Sequence, residues 1–370
     1  MALNTVSSDR LSTNVKNTNF TAAEKQDLTN DILPLATQFG QSKNLIINGA
    51  MQVAQRGSAS STVNGLATVD RFKKIGAGLG NTFSQEQITL SSSDTPYSSG
   101  FRKAFRVSQD QAGTANASGA IDFSHYIEAQ NIAGSGWNYT SASSKITLQF
   151  WFRASTNQTF YGFLLTSDGT VQINPFSFTA SGNNTWTKVT KTFTGNSNIT
   201  INNDNGTGLI VYLIPYYGTD YQGSISLDTW TTLANNDYVP SMASTWLTAG
   251  ASTFDVTGMQ LEVGSVATDF EHRSFGQELA LCQRYFVSKN VCLGTGYNGE
   301  GGNVTYTARV DFNPTMRTDP TITFPTNHSA TNTNSDIASG ISKDGFSYGA
   351  NVQATGNYFR QSTMQATAEL

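Results

Sequence analysis

Alternating apolar positions run through most of the chain from residue 44 onward and predict β-strands. In the segment 146–152, Ile146, Leu148, Phe150 and Phe152 occupy every second position. A period of two is typical of a strand with one buried face. Segments 160–165 and 209–214 are apolar on both faces, as central strands of a sandwich are. Nine or ten such segments, joined by Gly-, Asn- and Ser-rich connections, predict an antiparallel jelly-roll β-sandwich.

The last strand of this series changes parity midway. Phe254 and Val256 lie at even positions, whereas Met259 and Leu261 lie at odd positions. A strand can change parity only where a residue is inserted, so Gly258 is predicted to form a β-bulge.

A helix is predicted directly after this strand. Ser274 and Gln277 have the spacing of a capping box, in which each side chain bonds the backbone of the other. Apolar residues then recur at helical spacing at Phe275, Leu279, Cys282 and Phe286. We interpret this helix as the connection between two β-domains, with the domain boundary near Arg273.

These patterns predict that the chain is divided into three segments. Residues 1–43 form a polar N-terminal segment with a short helix that a capping box at Thr21–Glu24 opens, and we expect this helix to pack on copies of itself or on a docking protein. Residues 44–273 form the β-sandwich. Residues 274–370 form the connecting helix and a small C-terminal β-domain, which includes the alternating strand Val304–Phe312. The C-terminal domain has few apolar positions, so we expect oligomerisation to complete its core.

Composition narrows the possible partners. Charged residues make up only 13% of the 370 residues, and the formal net charge is −4 without a basic cluster. We therefore expect no nucleic-acid partner. No apolar run approaches 20 residues and no charged-then-apolar start is present, so we expect neither a membrane span nor a secretory signal. A surface of uncharged polar residues suits virion or extracellular proteins, and it suits sugar binding.

Few residues favour catalysis or metal binding. The three histidines, His125, His272 and His328, do not accompany a Gly-x-Ser-x-Gly segment. Glu262 and Glu271 are the candidates for a glycosidase carboxylate pair, whose separation cannot be read from a sequence, and structural roles for both are the favoured interpretation. The oxygen-rich turns at 167–169 and 202–206 need no metal to explain them. We expect no catalytic residue, no metal and no cofactor, and we interpret Cys282 and Cys292 as buried free thiols.

Aromatic and polar residues cluster near the end of one predicted strand and on two loops. Aromatic rings stack on the apolar faces of sugars, and Asp, Asn and Gln bond their hydroxyls. The alternative interpretation is that the rings fill the core or a protein interface. The candidate glycan-binding residues are Tyr216, Tyr217, Asp220, Tyr221, Trp137 and Trp186.

Several segments together resemble bacteriophage tail-fibre proteins of short-tailed phages. They are Asn44-Leu-Ile-Ile-Asn-Gly-Ala-Met51, Val69-Asp-Arg-Phe72, Gly258-Met-Gln-Leu-Glu-Val-Gly264, Phe270-Glu-His-Arg273 and Leu281-Cys-Gln-Arg-Tyr285. The segment Phe312–Arg317 with Asp319-Pro320 resembles C-terminal domains of similar fibres. The strands also look like jelly-roll carbohydrate-binding modules. In those modules an N-terminal strand, here near Leu45–Val53, lies beside the closing strand, here Met259–Val263.

The resemblance implies a virion protein that adsorbs the phage to a bacterial host. It implies a homotrimer that attaches to a tail adaptor or nozzle protein through residues 1–43, is assembled in the host cytoplasm, and binds surface polysaccharide without catalysis. Two alternatives stay open: a capsule or polysaccharide depolymerase, and a purely structural virion decoration protein.

Overall fold

The computed structural model describes residues 43–299 and 304–370. All of these except Lys43 belong to one compact unit, Asn44–Leu370. The predicted helix after Thr21 and its attachment role lie outside the described residues. No helix within the described ranges is long and apolar enough to span a membrane.

Two antiparallel sheets form a β-sandwich, which confirms the predicted fold class. The six-stranded sheet has the order β1-β4-β9-β6-β7-β10 and the five-stranded sheet the order β2-β3-β11-β5-β8. The strands are β1 Phe72–Ala77, β2 Phe83–Thr89, β3 Lys103–Gln109, β4 Ala120–Glu128, β5 Lys145–Ala154, β6 Thr159–Thr166, β7 Gln172–Thr179, β8 Thr187–Thr194, β9 Thr207–Tyr217, β10 Thr231–Thr232 and β11 Ser252–Val263. Short helices lie between them: α1 Thr95–Ser98, α2 Ala129–Ala133, a 3₁₀ turn Thr219–Tyr221 and α3 Thr245–Thr248.

Aromatic side chains from both sheets meet in the core of the sandwich. The Phe152 ring lies 4.8 Å from that of Phe178 and 5.9 Å from that of Phe254. Phe160 and Phe254 are 5.1 Å apart, edge to face. All four rings are buried, and the burial of such rings is the main favourable term in folding. The alternation at Phe150 and Phe152 therefore identified the inner face of β5 correctly.

The predicted bulge in β11 is present. The pairing of β11 with β5 shifts register between Thr257 and Gln260, and Gly258 has a φ of +64°. A Cβ at Gly258 would lie 2.7 Å from the Phe101 ring. Glycine is required here because the backbone conformation and the close ring both exclude a side chain.

The segment near Leu45–Val53 lies beside β11 but is not a strand, in contrast to the prediction. Backbone bonds join Leu45 to Leu261 and Met259 to Gly49. Asn48 has a φ of +62°, and its side chain bonds both backbone groups of Val53. This local bonding competes with a sheet ladder and holds the segment in turns.

The helix α4, Phe275–Gln283, begins with the predicted capping box at Ser274 and Gln277. Cys282 is buried as predicted, but Cys292 is exposed, so the expectation of two buried thiols is half wrong. Phe275, the first residue of α4, is 56% exposed, so it does not extend the buried side of the helix.

Two small sheets follow α4. One has the order β12-β18-β13, with β15 also paired to β18, and the other the order β14-β17-β16. Their strands are β12 Phe286–Cys292, β13 Gly296–Asn298, β14 Val304–Asp311, β15 Thr321–Thr331, β16 Thr333–Ser342, β17 Gly345–Val352 and β18 Gly356–Thr367. A small cluster that includes Phe312, Phe346 and Met364 forms their core. Arg284, at the end of α4, pairs with Glu128 of β4 at 3.0 Å and so joins the helix to the sandwich. The predicted domain boundary near Arg273 stays a prediction.

Candidate functional site

The outer face of the six-stranded sheet carries tyrosines where an exposed sheet would carry small polar residues. On β6, Phe160 points into the core, so Phe163 points to the opposite side. Phe163 pairs with Tyr212 of β9, and Tyr212 pairs with Ser124 of β4. Three neighbouring strands therefore place these side chains on one face.

Six rings form a continuous chain on this face. The Tyr126–Tyr212 centroids are 6.5 Å apart, the Tyr212–Phe163 centroids 4.6 Å and the Phe163–Tyr238 centroids 5.5 Å. Tyr238 then contacts Tyr217 at 6.1 Å, and Tyr217 contacts Tyr221 at 5.2 Å. We call this set the tyrosine cluster: Tyr126, Phe163, Tyr212, Tyr217, Tyr221 and Tyr238.

A bulge in β9 brings Tyr217 into the tyrosine cluster. Opposite β4, Ile121 pairs with Tyr216 and Phe123 with Leu213, so Asp122 alone faces two residues of β9. The extra residue shifts the alternation of β9. As a result the Tyr217 hydroxyl donates to Asp122 Oδ2 at 2.9 Å.

Asp122 is a buried acid at the base of the tyrosine cluster. Desolvation by burial raises its pKa from 3.8 to about 7, although the bond from Tyr217 and the charge of Lys73 act in the opposite direction. Burial also raises the pKa of Tyr212 and of Tyr217, so both phenols stay protonated at neutral pH. The cluster therefore offers hydroxyl donors and one titratable carboxyl group.

Several rings of the tyrosine cluster keep contact with solvent. Phe163 and Tyr217 are buried, whereas the other four rings are only partly buried. The Tyr126 and Tyr212 hydroxyls lie 3.2 Å apart. Partly exposed rings beside hydroxyls present both an apolar surface and hydrogen-bonding groups, which is the combination that a sugar ring requires.

The structure gathers only part of the predicted glycan-binding set. Tyr217 and Tyr221 belong to the tyrosine cluster, and the exposed Asp220 precedes Tyr221 in the same 3₁₀ turn. Tyr216 is buried opposite Ile121. The glycan-binding role of all these residues stays a prediction.

The two predicted tryptophans lie elsewhere and are buried. Trp137 is 2% exposed and contacts Tyr139, with centroids 6.2 Å apart. Trp186 donates through Nε1 to Asp94 at 2.8 Å, and the Arg153 guanidinium lies 4.7 Å from the centroid of its ring. Trp137 is part of the main hydrophobic core and Trp186 of a smaller core cluster.

The predicted glycan-binding set lacks four members of the tyrosine cluster: Tyr126, Phe163, Tyr212 and Tyr238. Tyr126 follows the buried His125, and this alternation on β4 could have assigned it to the outer face. Tyr238 comes from the loop after β10, and no local pattern reveals that this loop returns to the sheet.

The side chains that were candidates for catalysis form hydrogen bonds within the fold. Glu262 accepts from the Thr268 backbone at 2.8 Å, and Glu271 accepts from the Asn44 backbone at 2.8 Å. His272 bonds the Ser99 carbonyl at 2.9 Å. His125 is fully buried, and burial lowers its pKa well below the usual range. The described residues contain no group of three or more His, Cys, Asp or Glu side chains that could hold a metal ion.

No protein-family model and no curated protein matches the sequence. Among solved structures, the enzymatically active domain of a bacteriophage CBA120 tailspike protein resembles it with 9% identity and a TM-score of 0.32. That match covers 60% of this chain, which spans only 22% of the tailspike chain.

Carbohydrate-binding modules are also among the structural matches. A family 11 module from Clostridium thermocellum, in complex with a mixed-linked tetrasaccharide, has 10% identity, a TM-score of 0.27, and coverage of 57% of this chain and 99% of the module. The N-terminal cellulose-binding domain of a Cellulomonas fimi β-1,4-glucanase has 10% identity, a TM-score of 0.26, and coverage of 58% and 99%. At TM-scores this low the likenesses carry no argument about function, and the fold assignment rests on the sheet topology.

Proposed function

We propose that this chain is a virion tail-fibre protein that binds bacterial surface polysaccharide through the tyrosine cluster, without catalysis. The observation that carries the proposal is the continuous chain of six aromatic rings on one sheet face, four of them partly exposed. Ring faces stack on the apolar faces of sugars, and phenol hydroxyls bond sugar hydroxyls. A chain with only 13% charged residues suits a neutral, hydroxyl-rich ligand better than a charged one.

Binding through partly exposed rings is weak at a single site, so we propose that multivalency provides the affinity. In a homotrimer attached to the tail through residues 1–43, each bound site raises the effective concentration of the others at the cell surface. The virion location and the assembly in the host cytoplasm belong to the same proposal.

The first alternative is a polysaccharide depolymerase. Its candidate carboxylates, Glu262 and Glu271, accept several hydrogen bonds from neighbouring backbone and side-chain groups, which favours structural roles. The second alternative is a structural decoration protein, which would bind no glycan.

Substitutions within the tyrosine cluster test the proposal. Tyr212→Ala and Tyr238→Ala each remove a partly exposed ring, so we expect each to weaken binding to immobilised host polysaccharide at least about tenfold. Tyr297→Ala is the matched control because Tyr297 is 67% exposed on β13, outside the cluster. Equal binding by all three variants and the unmodified protein would refute the assignment of the site, and release of new reducing ends would favour the depolymerase.

A further inference from the structure

Two polar atoms at the base of the tyrosine cluster are buried without a hydrogen-bond partner. They are Asp122 Oδ1 and Ser124 Oγ, and neither has a donor or acceptor within reach among the described residues. Asp122 is 6% exposed and Ser124 is 1% exposed. Proteins satisfy nearly all buried polar atoms, so two unsatisfied atoms on one face of β4 call for an explanation.

Both atoms belong to the face that the tyrosine cluster occupies. Asp122, Ser124 and Tyr126 alternate along β4, so their side chains share one side of the sheet. Ser124 lies opposite Tyr212 on β9 and opposite Lys73 on β1. We call Asp122 and Ser124 the polar floor.

One cationic side chain, Lys73, lies beside the polar floor. The Lys73 ammonium lies 3.9 Å from the centroid of the Tyr126 ring and donates to the Leu370 carbonyl at 3.3 Å. Tyr217 contributes a hydroxyl to the other oxygen of Asp122. The Lys73 ammonium already has the ring and the carbonyl as partners, and an acidic ligand would meet repulsion from Asp122 wherever that carboxyl group is ionised.

We propose that the polar floor accepts hydrogen bonds from two adjacent hydroxyls of an uncharged sugar residue, so that the polysaccharide bound by the tyrosine cluster is a neutral one. One hydroxyl donates to Asp122 Oδ1 and the other to Ser124 Oγ, while the sugar ring stacks on the tyrosines. This inference rests on the proposed function and specifies its ligand class.

Access to the polar floor requires a small movement of two tyrosines. Tyr126 lies two residues from Ser124 along β4 and Tyr212 lies opposite it on β9, and the two tyrosine hydroxyls are joined by a 3.2 Å bond. This distance is long for a bond between two hydroxyls, so little is lost when the pair separates. The sugar hydroxyls then replace that bond with two bonds to the floor.

An array of bacterial surface polysaccharides, with neutral repeats and with uronic-acid repeats, tests the proposal on the full chain. We expect binding to neutral repeats only. Ser124→Ala removes one acceptor, and Asp122→Asn keeps an oxygen for the Tyr217 hydroxyl but turns an amide donor toward the floor, so each should weaken that binding about tenfold. Ser84→Ala is the matched control: it removes a hydroxyl that is paired with Ser108 on the other sheet, and binding should be unchanged.

The outcomes separate this inference from the proposed function. Binding confined to acidic repeats, or neutral binding that neither floor variant weakens, would overturn the inference and leave polysaccharide binding intact. Absence of binding to every polysaccharide would overturn both. Thermal unfolding of each variant shows whether it is folded, and a folded Asp122→Asn variant that has lost neutral binding supports the polar floor.

Discussion

Burial of a single residue, Asp122, makes the stability of the folded protein depend on pH. Its pKa in the folded protein is about 7, against 3.8 for an exposed carboxyl, and desolvation is the largest cause. The folded protein thus holds a proton that the unfolded chain has already lost at the same pH. The stability that follows from this is fully present below about pH 4 and is lost as the pH rises through about 7.

Asp122→Asn should remove this pH dependence, because an amide does not titrate. Between pH 4 and pH 7.5 we expect the variant to gain up to about 4 kcal/mol in free energy of unfolding relative to the unmodified protein. Urea unfolding of both proteins across this range measures the gain. A difference that stays constant with pH would show that Asp122 ionises normally.

Asp336 anchors the small C-terminal sheets through a buried polar network. Its oxygens accept from the Arg360 guanidinium at 2.7 and 2.8 Å, from Tyr348 at 2.8 Å and from Ser362 at 2.8 Å. Both charged side chains of the pair are less than a tenth exposed. Removal of one partner would leave the other charge buried without compensation.

Asp336→Ala should therefore lower the free energy of unfolding by about 3–5 kcal/mol. Asp311→Ala provides the control, since Asp311 pairs with Arg309 at 2.8 Å but both side chains are about half exposed or more. An exposed pair of this kind contributes at most about 1 kcal/mol. Chemical denaturation of both variants tests the contrast, and equal losses would argue against a stabilising role of the buried network.

At the scale of elements, β11 is the central strand of the five-stranded sheet, and its bulge requires one glycine. Gly258→Ala would place a Cβ against the Phe101 ring at a φ of +64°, so we expect a loss of at least about 2 kcal/mol. Gly276→Ala in α4 has open space around the new methyl group and should stabilise the protein by about 0.5–1 kcal/mol. Thermal unfolding of the two variants measures both changes in stability. A Gly258→Ala variant as stable as the unmodified protein would contradict the requirement for glycine.

Elements with a local signal could be predicted from the sequence, and elements set by distant contacts could not. The parity change at Gly258 and the capping box at Ser274 depend on neighbouring residues, and both are present. The turns at Asn48 depend on side-chain bonds that compete with a strand, and the pattern did not reveal them.

The candidate site was predicted only in part for the same reason. Tyr217 and Tyr221 are close in sequence, but they meet Tyr238 only after the loop has folded onto the sheet. The sequence pattern places Trp186 on a loop, whereas the folded chain holds its ring against Asp94 and Arg153, which are distant in sequence.

At the scale of the whole molecule, the C-terminal strands expose much of their surface. Alternate residues of β14 are exposed, and most of β15 is exposed. We expect association of three chains to cover part of this surface. Light scattering should give three times the chain mass of 39.8 kDa, and a monomeric mass would contradict the trimer.

Binding to polysaccharide without its cleavage is the central claim. Incubation of the full chain with purified polysaccharide from a susceptible host, followed by assays of bound protein and of reducing ends, tests it most directly. We predict bound protein, a loss of binding in Tyr212→Ala, and no increase in reducing ends. Protein that does not bind, or polysaccharide that becomes shorter, would contradict the claim.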